Sequence, residues 1–434
     1  MAEHQHQAGS ATVADVIGVG FGPANLALAI AAEELAETTD ARGHEMHFLE
    51  AQPRFGWHRG MLIDGATMQV SFLKDLATMR NPTSRYSFVA YLHARGRLAD
   101  FINGKTFYPF RTEFHDYLEW AAGHFGTSVS YGSEVVGISP VSVDGTVRHL
   151  DVTSRDGEGH TTTRRTRNVV IGAGLVPRLP AGVRSTERIW HSSELLDRLR
   201  HLPSTEPRSF AVVGAGQSAA EVVNHLHQRY PGAEVHAVFS RYGYSVADDS
   251  PFTNRIFDPV AVDHFFEAPD HLKDSLIRYH ANTNYAVADV DLAEELYRTA
   301  YRETITGRRR LHIHNASRAD LVEEARDGVQ LDVEFMPDAS VSRLRVDALV
   351  YATGYRPADP LPLLQELEAE CKKDERGRLV LNRDYRVVTS DTVQCGIYMH
   401  GAGSEHSHGL SAGLLSNIAV RAGEITRSIA AQTC

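Results

Sequence analysis

Apolar positions in this chain fall into short unbroken runs that alternate with longer stretches of helical spacing, and two of these run-and-helix pairs share one design. VADVIGVG (13–20) reads as a strand buried on both faces, with Asn25 to Leu35 as the helix behind it. EMHFLEAQ (45–52) reads as the next strand, ending in Glu50. Further on, RSFAVVGAGQSAAEVVNHLHQRY (208–230) again runs strand, turn, helix, and AEVHAVFSR (233–241) follows as a strand. Between the two units, residues 53 to 125 carry helical patterns such as EFHDYLEWAA and few strand signals. SVSYGSEVVGISPV (128–141) and RHLDVTSRD (148–156) read as strands of a small sheet, and RNVVIGAGLVPRLP (167–180) as a strand leaving the first unit. VDALVYATGYRP (346–357) supplies another buried strand, and helical spacing returns from about Leu414.

Each glycine turn sits where a strand opens a helix. Gly18, Gly20 and Gly22 lead into Pro23, and Gly214, Ala215 and Gly216 lead into Gln217 and Ser218. Such a turn lets backbone amides approach a pyrophosphate at the positive end of a helix. One turn is weak evidence; two in one chain point to two dinucleotides, commonly a flavin and a nicotinamide. The third fingerprint position is Pro23 in the first turn and Ala219 in the second, where glycine is usual. Glu50 is placed to accept hydrogen bonds from an adenosine ribose. The second unit has Ser240 and Arg241 at the corresponding strand end, which suits a 2′-phosphate and favours NADPH over NADH.

Composition narrows the class. With 434 residues and 42% hydrophobic positions the chain can bury more than one core. A net charge of −11 with only short basic stretches, RTRN and GRRR, speaks against nucleic acid or an anionic membrane as partner. Cys371, Cys395 and Cys434 form no CxxC and no metal spacing, as free thiols in a reducing, cytoplasmic setting would. His4 and His6 lie in a polar tail without signal-peptide character, and no metal is expected. The expected fold is α/β: two Rossmann-like dinucleotide-binding domains, for FAD and NADPH, plus a small, mostly helical substrate-binding region. Residues 1–12 are expected to be a disordered tail and 13–200 the first part of the FAD domain. Residues 205–325 form the NADPH domain with a substrate segment around 250–300, and 330–434 the second part of the FAD domain with a C-terminal helix.

The densest unusual stretch, FGWHRGMLIDGATMQVSFLKDLATMRNPTSRYSF (55–88), mixes aromatics with Gln69, Lys74, Asp75, Arg80 and Asn81 and would make a poor plain core. With VGFGPANL, GWHRGMLI, MQVSFLKDLATMRNP, GAGQSAAE, SPFTNRIFDP, NTNYAV, DALVYATGY and HGLSAGLLS, the chain resembles the flavin-dependent N-hydroxylating monooxygenases from about Asp15 to about Ala430. It is most similar to the L-ornithine N5-monooxygenases of siderophore and nonribosomal-peptide pathways.

That resemblance implies roles by position. Gly18, Gly20, Gly22, Pro23, Glu50, Trp57, His58, Gln69, Val135, Gly413, Leu414 and Leu415 would hold FAD. Gly214 to Ser218, Ser240, Arg241, Asn284, Tyr285 and Ala286 would hold NADPH. Lys74 and Asn254 would take the amino-acid head group, and Asn284 and Ser416 the side-chain amine, with Ser411 an alternative to Ser416. Gln69, Asn284 and Ser416 are the catalytic candidates. Taken without the resemblance, Lys74 reads as a surface lysine and Asn254 as a turn residue. Where family members carry an arginine just before the SPF segment, this chain has Ser245. The implied reaction uses FAD, NADPH and O2: the reduced flavin forms a C4a-hydroperoxide, whose distal oxygen is attacked by the neutral amine of ornithine. A homo-oligomer is implied as well.

Other readings stay open at this point. L-lysine or a diamine could replace ornithine. A Baeyer–Villiger or heteroatom monooxygenase would carry an F-x-G-x-x-x-H signature, but His191 in STERIWHSS lacks its Phe and Gly. A disulfide reductase would need the absent CxxC, and a regulator could use FAD structurally.

Overall fold

The computed structural model describes residues 13–38, 44–203 and 206–432; the expected N-terminal tail and Cys434 lie outside them. The first sheet has seven strands. Ala14–Val19 lies between Met46–Leu49 and Thr161–Ile171, parallel to both. Alternate residues face opposite cores: Val16 and Val170 join the cluster of Leu26, Phe114 and Ile425, whereas Ile17, Val169 and Ile171 join Leu49, Ile138 and Ile397. A strand apolar on both sides is what a parallel sheet covered on both faces requires. The helix behind the first turn, Pro23–Thr38, begins two residues earlier than expected, with proline at its first position, where a missing N–H costs nothing. It packs against the terminal helix Ile418–Gln432.

Thr161–Ile171 explains one departure from the sequence reading. Its first half pairs antiparallel with Thr146–Arg155, and its second half, on the same edge, pairs parallel with Gly396–Met399. The hairpin Glu134–Val143 and Thr146–Arg155 is therefore continuous with the first sheet rather than a separate small one. The apolar part of the 167–180 stretch ends the sheet's central strand, and beyond it the chain leaves as a short strand, Leu175–Pro177, paired antiparallel with Tyr355–Pro357.

The second sheet runs Leu311–His314, Glu234–Val238, Ser209–Val213, Ala348–Tyr351, Ile189–His191, all parallel. Sheet membership thus crosses the expected boundaries at both ends. Ile189–His191 already belongs to the second unit, and so does Ala348–Tyr351, while Gly396–Met399 returns to the first. A three-stranded antiparallel sheet, Ser317–Ala325, Gly328–Phe335 and Ser340–Val346, packs against the second unit through Val329, Leu331 and Val333. Between Glu234–Val238 and Leu311–His314 the chain makes short helices, Thr253–Phe257, Pro259–Glu267, Asp270–Tyr279 and Ala281–Thr283, before the long helix Val290–Thr306. This is the small helical region the sequence places around 250–300. Among the described residues, no helix is long and apolar enough to cross a membrane.

Candidate functional site

At the first turn every glycine has a distinct reason. A Cβ at Gly18 would lie 2.2 Å from the Phe48 ring, and Gly20 has φ of +80° with Gly172 O where its Cβ would be. At Gly22 a Cβ would meet nothing within 4 Å, which leaves open space at the start of the Pro23–Thr38 helix. Glu50, nearly buried, accepts from Phe21 N at 2.6 Å and Gln52 N at 2.8 Å. It fastens the turn to the end of the neighbouring strand and keeps lone pairs that could accept from a ribose. Asn25 Nδ2 donates to Val19 O and Gly20 O, while its buried Oδ1 has no partner. Open space at a helix start, a carboxylate at the strand end and an orphaned buried oxygen fit an adenine dinucleotide.

Trp57 and His58 follow Glu50 in the chain. His58 adopts φ of +50° and meets Trp57 edge-on at 4.6 Å and Tyr355 at 5.8 Å. Its ring is reached by solvent yet crowded by protein, and that crowding, with the charge of Arg111, lowers its pKa to about 4. It is a neutral imidazole at any working pH. Tyr355 in turn contacts His191, whose Nε2 lies 2.9 Å from Gly354 O. Gln69 is exposed and Val135 buried on the hairpin. Gly413, Leu414 and Leu415 form the turn that leads into the terminal helix, with Ser411, Ser416 and Asn417 buried around it. Both amide atoms of Asn417 lack partners, as do both ring nitrogens of buried His400.

The second turn is built alike and braced differently. Gly214 has φ of +145°, and a Cβ there would lie 2.3 Å from Ala352 O. Gly216 precedes the helix Gln217–Arg229 with no side-chain cap, so the first amides of that helix are available to a pyrophosphate. A Cβ on Gly216 would touch Ala286 Cα at 3.4 Å, so the loop holding Asn284, Tyr285 and Ala286 lies against the turn. Ala286 itself has φ of +55°. Ser240 and Arg241 are exposed beyond the end of Glu234–Val238. One arm of Arg241 donates to Ala286 O at 2.9 Å and Ser245 Oγ at 3.2 Å. Its other donors remain for a phosphate.

The substrate candidates meet only in part. Lys74 is half-buried, with Nζ 5.5 Å from the centre of the Phe257 ring, and burial lowers its pKa against the opposing pull of Asp258. Lys74 and the SPFTNRIFDP segment therefore face each other across the two units. Asn254 Nδ2 donates to Asp249 O at 2.6 Å, which is its turn role; Oδ1 remains to accept from an ammonium. Asn284 is exposed with no side-chain hydrogen bond. A cavity of about 280 Å3 opens between the helical segment and the C-terminal turn, lined by Phe252, Thr253, His280 and Leu410 among others.

Two connections have no signal in the sequence. Arg111 forms a largely buried two-pronged ion pair with Glu221 (2.7 and 2.6 Å), joining the helix Arg111–Ala122 to the helix of the second turn. Gln217 then bridges Glu221 Oε1 at 2.8 Å and Asp289 N at 2.7 Å, at the end of the 284–288 loop. On the loop's other side, the Tyr285 hydroxyl donates to Glu405. Burial and Glu405 raise the tyrosine's pKa, and burial raises that of the carboxyl. Each partner is ordinary alone, and only the fold makes them neighbours.

The family of L-lysine 6-monooxygenases and L-ornithine 5-monooxygenases matches residues 12–357. The chain belongs to this family. An L-ornithine N(5)-monooxygenase of Burkholderia cepacia is 44% identical over 405 residues, 92% of this chain and 90% of its own. Its counterpart in Pseudomonas aeruginosa is 40% identical over 97% of this chain and 94% of its own. Among solved structures, the ornithine N-hydroxylase of Kutzneria sp. 744, with reduced FAD, NADP+ and L-ornithine, superposes with a TM-score of 0.93 at 48% identity, covering 98% of this chain and all of that one. The two-unit α/β fold is that of these family members.

Proposed function

We infer that this family member is an FAD- and NADPH-dependent L-ornithine N5-monooxygenase that uses O2 and releases N5-hydroxyornithine. The family as described spans lysine and ornithine; the relatives named above act on ornithine, which favours the shorter amine. The observation that carries the reading is the 284–288 loop, which leans on the second glycine turn, is tied through Gln217 to Glu221, and reaches Glu405 just before the C-terminal turn. One short segment thereby joins the turn assigned to the nicotinamide cofactor to the stretch that precedes the C-terminal turn.

Bound flavin, once reduced by NADPH, supplies the activation of O2. The chain's own residues bind and position. Lys74 pairs with the ornithine carboxylate and Asn254 Oδ1 accepts from the α-ammonium. Asn284 and Ser416 receive the side-chain amine as neutral partners. That neutrality matters, because deprotonating an alkylammonium of pKa about 10.4 at about pH 8 requires roughly 3 kcal/mol, and a carboxylate at that place would raise the requirement. Gln69 and Tyr285 orient the nicotinamide end, and Arg241 with Ser240 the 2′-phosphate. The hydroxylamine product is of the class that siderophore and peptide assembly consume. Exposed Ile102, Phe107, Tyr108 and Phe110 support a homo-oligomer, and the free thiols Cys371 and Cys395 a cytoplasmic setting.

The test is an amine panel, L-ornithine, L-lysine and cadaverine, each with NADPH and air, with hydroxylated product measured by mass spectrometry. Product from ornithine at the highest kcat/KM is expected. Preferential hydroxylation of lysine or cadaverine would replace the substrate, and NADPH oxidation without any hydroxylamine would end the monooxygenase reading.

A further inference from the structure

The pairing of Glu234–Val238 with Leu311–His314 puts an unusual set of side chains on one face of the second sheet. His236 and His312 are register partners, so their side chains stand side by side, and Glu234, two residues before His236, projects to the same face. The two imidazoles lie nearly parallel, with ring centres 4.6 Å apart. Glu234 Oε2 is 3.6 Å from His236 Nε2 and 3.6 Å from His312 Nε2. That is too long for a hydrogen bond, and His312 Nε2 is buried without a partner. His236 Nδ1 lies 3.1 Å from His314 Nε2. A proton on Nδ1 leaves the Nε2 lone pair turned toward Glu234 and His312.

We propose that Glu234, His236 and His312 form a binding site for a zinc-like divalent transition-metal ion on the outer edge of the second sheet. Three ligand atoms lie within 4.8 Å of one another, and tetrahedral bonds of about 2.1 Å need edges of about 3.4 Å, so the set closes once the two stacked imidazoles turn out of parallel and aim their Nε2 lone pairs at one point. Two imidazoles and one carboxylate suit Zn2+ and its first-row neighbours, whereas Mg2+ and Ca2+ take oxygen ligands. The contact from His236 to His314 is the outer bond that fixes the orientation of a ligating histidine. Leu311–His314 is the edge strand, so the ion clips that edge to its neighbour. Arg241 lies five residues beyond His236, about 16 Å along an extended chain, and the ion is therefore structural rather than catalytic.

The experiment uses the flavin-loaded enzyme, stripped with chelator and dialysed against Zn2+, with bound metal counted by mass spectrometry and thermal midpoints recorded with and without the ion. Wild type is expected to hold one more equivalent than His312→Ala and to gain thermal stability from Zn2+ that this variant does not gain. Glu234→Gln, at a half-exposed position that does not threaten folding, is expected to lose affinity at least tenfold with unchanged ornithine hydroxylation. His314→Ala is expected to weaken binding by about 10-fold. Equal metal content and equal thermal response in wild type, His312→Ala and Glu234→Gln would overturn the site.

Discussion

In the first glycine turn Gly20 N donates to Leu49 O, and in the second Gly214 N donates to Val238 O, so each turn is tied to its neighbouring strand in the same way. Beyond that bond the two diverge. The first is closed from within its own unit by Glu50 and Asn25. The second has no such carboxylate; it is braced from outside, by the 284–288 loop and by Arg111 through Glu221 and Gln217. A self-contained turn suits a cofactor that stays bound, and a turn braced by a loop from outside suits one whose arrival must be felt by the rest of the site. Damage to the first brace should therefore remain local, and damage to the second should spread.

The sharpest way to break this comparison is Glu221→Ala, which leaves the largely buried Arg111 guanidinium without its carboxylate. Losing one partner of a buried pair costs about 3 to 5 kcal/mol. We expect a large drop in thermal midpoint together with poor flavin reduction by NADPH and a raised KM for ornithine. A variant with an unchanged midpoint and normal reduction would show that the bridge is incidental. Its counterpart, Glu50→Gln, should weaken FAD retention while leaving the NADPH KM of the reloaded enzyme unaltered, as read by flavin content and steady-state kinetics.

Lys74→Ala comes next, at about 2 to 5 kcal/mol for an interaction with a bound carboxylate. Its ornithine KM should rise strongly with flavin reduction by NADPH intact, and unchanged affinity would return Lys74 to an ordinary surface lysine. Asn284→Ala should consume NADPH normally but release peroxide in place of hydroxyornithine, since positioning contributes several kcal/mol to such encounters. Wild-type coupling in that variant would reduce the loop to a bracing role. Arg241→Ala should cost about 1.5 to 3 kcal/mol in NADPH affinity, with NADH kinetics unaltered. The smallest effect concerns pH. Burial lowers the Lys74 pKa, so its charge is complete at low pH and is lost on the alkaline side earlier than for a free lysine. The ornithine KM should rise there, and Lys74→Arg should flatten the rise.

What could be read in advance follows the range of the interactions. Turn glycines, the carboxylate at Glu50 and the helical tract at 250–300 are local, and their chemistry is visible within a few residues. Gly396–Met399 gave no such sign, because only its register beside Asn168–Ile171 makes it part of the first sheet. Ala348–Tyr351 reads equally well as a strand of either unit, and its neighbours in space, Ser209–Val213 and Ile189–His191, decide the matter. Arg111 and Glu221 lie 110 positions apart, and nothing local marks either as one half of a pair. For Asn254 the turn reading is visible in the hydrogen bond from its NH2 to Asp249 O, and the head-group role rests on the resemblance alone.

The return of the chain to the first sheet has a consequence for biosynthesis. Residues 14 to 171 are made before residues 189 to 351, but their sheet lacks Gly396–Met399, and the face of Pro23–Thr38 its covering helix, until residues 396 to 432 follow. The second unit draws its strands from residues 189 to 351 and is complete well before then. The apolar surface of residues 14 to 171 thus waits for residues 396 to 432 and is open to chaperones meanwhile.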